Sequence, residues 1–206
     1  MANNAGPLRF PTTPPDLNGP HVALRALQSS HLHDLCRVGL DESLWKLTMS
    51  RVRTESDMRE YIAEALRQQE RGTALPYVII DRQSASIVGS TRFGNMAPTD
   101  RRVEIGWTWI GVPWQRTVIN TETKYLLLQC AFEVFGCARV EFKTDALNAR
   151  SRRALERIGA REEGLLRSHM MTREGRLRDT VYFSVLRREW GEVKRALLRK
   201  MDVPLS

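Results

Sequence analysis

The chain has 206 residues, 42% hydrophobic and 27% charged, with 32 Lys and Arg against 24 Asp and Glu and a formal net charge of +8. That length and mix suit one soluble globular domain with a sizeable core; no apolar run reaches the roughly 18 residues of a membrane span, and no basic-then-apolar leader is visible, so a cytoplasmic protein is expected. The charge excess favours anionic ligands, but the basic residues are scattered and no nucleic-acid motif accompanies them, which leaves nucleic acid a weak candidate partner.

Residues 1–20 hold Pro7, Pro11, Pro14, Pro15 and Pro20 and read as an extended arm, mobile or draped over a surface. A single domain is expected over 21–201, with 202–206 as a tail. Residues 22–27 read as a strand. Ser29 or Ser30 then caps a helix to Val38, with His31 and His33 as solvated first-turn residues rather than a metal pair. Thr54 and Asp57 have capping-box spacing. They open a helix over 55–71, apolar along Met58, Tyr61, Ile62, Ala65 and Leu66 and closed by Gly72. Residues 77–81 and 86–93 flank a polar turn and should pair as a hairpin.

Residues 102–110 alternate. Val103, Ile105, Trp107 and Trp109 fall on one side, and Glu104, Gly106 and Thr108 on the other. Gly111, Val112 and Pro113 stop that strand. The following helix carries a stripe of Ile119, Leu126, Leu127, Cys130, Ala131 and Val134. A strand that empties into a helix N-terminus offers unpartnered amides to an anion, so residues 113–120 are the place to look for a phosphate. Residues 138–144 form another strand, and Asn148 opens a short helix ended by Gly159. Strands over 164–171 and 180–186 flank the turn 172–175. A last helix, 188–201, turns Trp190, Val193, Leu197 and Leu198 inward. Hairpins and helical crossovers together make an α+β, mixed-sheet layout. Cys36, Cys130 and Cys137 are odd in number and lack metal spacing, so reduced thiols and no metal site are expected.

Four pieces then occur in a telling order: Glu104-Ile105-Gly106-Trp107; the loop Trp114 to Asn120; Asn148-Ala149-Arg150-Ser151 opening a helix that ends Glu156-Arg157-Ile158-Gly159-Ala160; and Asp179-Thr180-Val181-Tyr182 before Arg188-Glu189-Trp190. Over about residues 22–190 the chain resembles the GCN5-related N-acetyltransferases (GNAT), in the RimJ/RimL-type branch that acetylates ribosomal-protein N-termini. The resemblance implies a mixed, mostly antiparallel twisted sheet of about seven strands flanked by helices, its fourth and fifth strands splayed for pantetheine. It implies acetyl-CoA as co-substrate and direct transfer to a primary amine, of a protein N-terminus or a small molecule, in a ternary complex. A homodimer is expected.

By the same resemblance, backbone amides across Gln115, Arg116, Thr117, Val118, Ile119, Asn120 and Thr121 hold the pyrophosphate, and an Ile105 or Gly106 amide polarises the thioester. Asn148 holds the pantetheine arm or orders the substrate; its plain reading is a helix N-cap. Ser151 hydrogen-bonds the CoA sulfur. Arg153, with Arg116, Arg150 and Arg152, meets phosphates through forked donors. Amine acetylation also needs a base, a dipole for the oxyanion and an acid for the thiolate. Glu104 is the candidate base, acting through water, unless it only pairs with Arg102 or another cation. Tyr182 is the alternative acid to Ser151, or a buried strand tyrosine. Trp45, Trp107 and Trp109 line an acceptor pocket or pack the core. Val118 and Asn120 stand where the family writes glycine. That departure keeps open a non-catalytic GNAT-fold module binding RNA, ribosome or a protein partner.

Overall fold

The computed structural model describes residues 6–202; residues 1–5 of the arm and 203–206 of the tail lie outside the described residues. The strands are β1 (Leu17–Asn18), β2 (Val22–Ala26), β3 (Leu75–Asp81), β4 (Ser86–Ala97), β5 (Arg102–Ile110), β6 (Arg139–Asp145), β7 (Arg161–Met171) and β8 (Leu177–Leu186). The α-helices are α1 (Leu32–Gly39), α2 (Glu55–Glu70), α3 (Val118–Gln129), α4 (Ala149–Arg157) and α5 (Trp190–Lys200). One open sheet runs β1-β2-β3-β4-β5-β6-β8-β7. Every neighbouring pair is antiparallel except β5–β6. The expected α+β mixed sheet is thus present. All seven anticipated strands form, and β1, a two-residue strand from the proline-rich arm, adds an eighth. The rest of the described arm is draped: Leu8 N donates to Pro98 O at 3.1 Å, and Phe10 meets Phe135 edge-on at 5.5 Å.

The two faces of the sheet are clad unequally. On one face α3, α4 and α5 bury Ile119, Leu127, Leu155 and Leu197 against Val103, Ile105, Val140, Phe142, Val181 and Phe183. Each fully buried large apolar side chain contributes roughly 1.5–3 kcal/mol. On the other face α1 and α2 bring Leu35, Met58, Tyr61 and Ile62 onto Val78 and Trp109, with Trp45 between them. The expected capping box of α2 forms: Asp57 N reaches Thr54 Oγ1 at 3.1 Å and Thr54 N reaches Asp57 Oδ2 at 3.0 Å. Gly72 takes φ +68° after the helix, a conformation glycine adopts without a Cβ penalty. This second cluster contains no residue beyond Trp109, so β6, β8 and β7 present their second face without a helix over it.

Two registers differ from the sequence pattern. Trp107 sits at φ +51°, and the β4–β5 register shifts between Ser90 and Arg92. A bulge of this kind re-aims side chains. Val103 and Ile105 face α3 as expected, but Trp109 crosses to the α1–α2 face and the Trp107 ring lies there over Arg92. The inward stripe of α3 also breaks. Residues Cys130–Val134 form a π turn in which Phe135 N donates to Cys130 O at 2.9 Å. The extra residue per turn rotates Val134 outward to 70% exposure, while Phe132 and Phe135 take the buried positions.

Candidate active site

β5 and β6 pair only at Arg102↔Arg139, Val103↔Val140 and Glu104↔Glu141. Both strands continue, β5 to Ile110 and β6 to Asp145. From Ile105 onward the side of β5 that faces β6 therefore has no strand partner, and a wedge opens with its apex at Glu104. Its mouth lies where α3 and α4 begin.

The α3 lip is an anion cradle by its donors. The amides of Arg116, Thr117, Val118 and Asn120 donate to no acceptor among the described residues. Thr117 is the N-cap: its Oγ1 accepts from Ile119 N at 3.3 Å and donates to Trp114 O at 2.7 Å. Arg116 takes φ +64°, a left-handed conformation that costs a non-glycine residue about 1 kcal/mol. Gln115 is tied down by its Nε2, which donates to Ile110 O at 2.9 Å. Ile119 and Thr121 turn their side chains into the core. Val118, with Thr117 and Ile119 of the same lip, lines a groove shared with Pro20, His21, Arg82 and Trp114.

The α4 lip faces it. Arg150 Nη1 donates to Gln115 Oε1 at 2.6 Å across the mouth. Asn148 caps α4, accepting from Ser151 N at 3.0 Å. Buried Asp145 fixes the preceding turn: its Oδ1 accepts from Leu147 N at 3.0 Å, and it pairs with Arg176 of the β7–β8 turn. Ser151 is half-buried in the first turn, and Arg116, Arg150 and Arg153 are exposed. Arg152 is engaged with Glu162 at 3.0 Å.

The apex holds a second cluster, on the face that α3 does not cover. Glu104 Oε2 accepts from Asn95 Nδ2 at 2.6 Å and from Lys143 Nζ at 2.8 Å. Burial is the largest single influence on the Lys143 pKa and would lower it, but the Glu104 carboxylate and Tyr182 together outweigh it and the net shift is upward. The Lys143 ammonium also lies 5.0 Å over the Tyr182 ring. Asn95, Met96, Ala97, Arg102, Glu141, Lys143 and Tyr182 line a cavity of about 650 Å³ above it. Glu104 and Tyr182 thus meet through Lys143, whereas Ser151 stands at the mouth with Asn148. The cation paired with Glu104 is Lys143, since Arg102 turns to Asp100 and Glu141. Trp45 and Trp109 are core; Trp107 is half-exposed.

Sequence reasoning passed over Asn95, Lys143 and Lys124. Lys124 of α3 is buried under the wedge. Its Nζ donates to Thr108 Oγ1 of β5 at 2.7 Å and lies 5.7 Å from the ring of Phe142 of β6. Thr108 in turn bonds Thr91 Oγ1 at 2.7 Å. Burial lowers the Lys124 pKa to about 7, against a smaller upward pull from Glu104. One signal was available: Lys124 stands three and four residues before Leu127 and Leu128, the spacing of one helix face.

The Acetyltransferase (GNAT) domain family matches residues 21–161. The chain belongs to the GNAT acetyltransferase family. Among curated GNAT relatives, YdaF of Bacillus subtilis (strain 168), provisionally named a ribosomal N-acetyltransferase, is 35% identical over 105 residues, 51% of this chain. That alignment spans only 56% of YdaF. The uncharacterized N-acetyltransferase p20 of Bacillus licheniformis is 25% identical over 171 residues, 82% of this chain and 95% of its own length. A GCN5-related N-acetyltransferase from Brucella melitensis superposes with TM-score 0.87 at 30% identity, covering 95% of this chain and 89% of that one. RimJ of Mycobacterium smegmatis, solved with CoA-disulfide, shares the fold at TM-score 0.75 and 22% identity, covering 95% and 93% of the two chains.

Proposed function

We propose that this GNAT protein is an acetyl-CoA-dependent N-acetyltransferase that moves the acetyl group directly to a primary amine in a ternary complex. One observation carries the reading: β5 and β6 part immediately after Glu104, and the mouth of the wedge is headed by four unpartnered amides at the start of α3. Acetyl-CoA, when bound, supplies an activated thioester. The Arg116, Thr117, Val118 and Asn120 amides hold its pyrophosphate, with Arg150 and Arg153 for the outer phosphate and Asn148 beside the pantetheine arm. The cradle is made of backbone amides, which the replacements of glycine by Val118 and Asn120 leave in place. At the apex the Ile105 or Gly106 amide polarises the carbonyl. Glu104, beside a roomy cavity, accepts the amine proton directly or through water. Tyr182 or Ser151 returns a proton to the thiolate.

The name of YdaF supports a protein N-terminal amine as acceptor, with a small-molecule amine as the other member of the class. A single catalytic unit over 21–201, a cytoplasmic location and a homodimer belong to the same reading. The dimer is supported by the sheet's outer edge, where Leu165, Leu166, Met170 and Met171 of β7 are exposed, and light scattering at two concentrations tests it. Acetyl-CoA at 100 times its Kd should raise the melting midpoint by about 5–10 °C. No shift at millimolar acetyl-CoA overturns the proposal.

A further inference from the structure

Arg92 of β4 heads the fully buried large side chains, at 2% exposure. Its guanidinium lies between two rings, 5.2 Å from that of Tyr61 and 5.1 Å from that of Trp107. Nη1 donates to Gln68 Oε1 at 3.1 Å, and Nε has no partner. No carboxylate among the described residues forms a salt bridge with it. A buried lysine can shed its proton; an arginine cannot. A permanent charge held from water without a counter-ion is costly, and an anion supplied from outside would offset that cost.

The register says where that anion sits. Arg92 pairs with Gly106, and Gly94 with Glu104, so all four share one face of β4 and β5. Gly106 puts no side chain of its own on that face, and the Glu104 carboxylate folds over it, with Oε1 3.0 Å from a Cβ built there. The Glu104 carboxylate thus lies at the Gly106 position, and the Arg92 backbone stands roughly 5 Å across from it. What separates Arg92 from this spot is the half-exposed indole of Trp107. It folds over Gly94, where a Cβ would lie 2.5 Å from Cζ3.

We propose that Arg92 is the anion-binding half of the acceptor site, so that the acceptor is an amine that also carries a carboxylate. The amine lies on Glu104 above Gly106. The carboxylate meets the guanidinium fork as the Trp107 ring turns aside. The inference rests on the transferase reading for the acceptor's place.

Its test uses the CoA-saturated protein, with melting midpoints titrated against matched probes at pH 7. Glycine against glycinamide asks for a main-chain carboxylate. The tripeptide amide Glu-Ala-Ala against Gln-Ala-Ala asks for one on the N-terminal side chain. In one pair the carboxylate member should bind about 10- to 100-fold tighter. Arg92→Met should erase that difference and raise the midpoint of the unliganded protein, as apolar replacement of a buried unpaired charge does; a purely structural arginine would lower it. Arg92→Lys serves if the Met variant does not fold, and it should shrink the difference by losing the fork. Equal binding within both pairs, or a difference that survives the variants, overturns the inference. CoA raising the midpoint while the pairs bind equally leaves the transferase reading intact. CoA without effect removes both.

Discussion

The two ends of the sheet solve the same burial problem differently. Around β2 and β3 helices cover both faces, and the buried side chains of those strands are Ala, Val, Leu, Ile, Pro and Tyr. Around β6, β8 and β7 one face is clad and the other carries charges mostly held in pairs, Arg102 and Arg139 with Glu141, Arg139 with Glu163 and Asp145 with Arg176, beside a buried Arg178 that makes no salt bridge among the described residues. At the seam, β4 and β5, neither solution holds. Arg92 of β4 and Lys124, against β5, are buried on opposite faces without a salt bridge to any carboxylate among the described residues, and Glu104, paired with Lys143, stands at the wedge apex. Charge left unbalanced in a protein's interior marks the place where chemistry or a ligand is to balance it.

Removing the seam's carboxylate should have the largest effect. Glu104→Gln should cut amine acetylation about 10²- to 10⁴-fold, in the range of lost general-base catalysis, while the midpoint shift with acetyl-CoA persists; thiol release and melting curves read the two. A rate close to wild type would move the base elsewhere. Next comes the depth of burial along one face of β8. Phe183→Ala, on the covered face of β8, should cost about 3–5 kcal/mol in urea unfolding. Leu177→Ala, on the same strand but 55% exposed, should stay within about 0.5 kcal/mol.

Lys124 sharpens the contrast through pH. Its folded pKa is lowered from 10.5 to about 7, so across that window the unfolded chain binds the extra proton. Stability from this group therefore rises as pH goes from 7 to 10.5. Lys124→Met should flatten that slope and be the more stable protein at pH 6–7. An equal slope in both would show that the ammonium has a partner. The smallest effect belongs to a paired surface charge. Hydrogen bonding to Arg139 leads the causes that hold Glu163 down, from 4.5 to about 2. Its contribution is present above pH 4.5 and fades as pH falls toward 2. The pair is solvent-screened, so Arg139→Gln should shift the acid-unfolding midpoint only slightly, by less than about 1 kcal/mol of stability.

What the sequence made legible was set by local rules. The capping box at Thr54, the hairpin about residues 82–85 and the alternation of Val103 and Ile105 all follow from neighbours a few residues apart. The bulge at Trp107 does not, because tryptophan is not a residue that favours positive φ; the strain is imposed by packing. The π turn that exposes Val134 is equally invisible to a fixed helical period. At the site, Asn148 as a cap and the α3 head as a donor cradle were readable. The pairing of Glu104 with Lys143, the stacking of Arg92 and the burial of Lys124 depend on residues 15 to 39 positions apart in the chain. The parting of β5 and β6 came through the family likeness, since nothing in either strand's own residues announces where their pairing stops.

The hydrogen bond from Arg150 to Gln115 has a kinetic meaning. It clasps the two lips together, so on the proposed reading a nucleotide entering the wedge would first unfasten it. The guanidinium so released would become a donor for the incoming phosphate, and one contact would be exchanged for another rather than lost. Arg150→Ala should then quicken entry and hasten departure still more, so that residence time shortens.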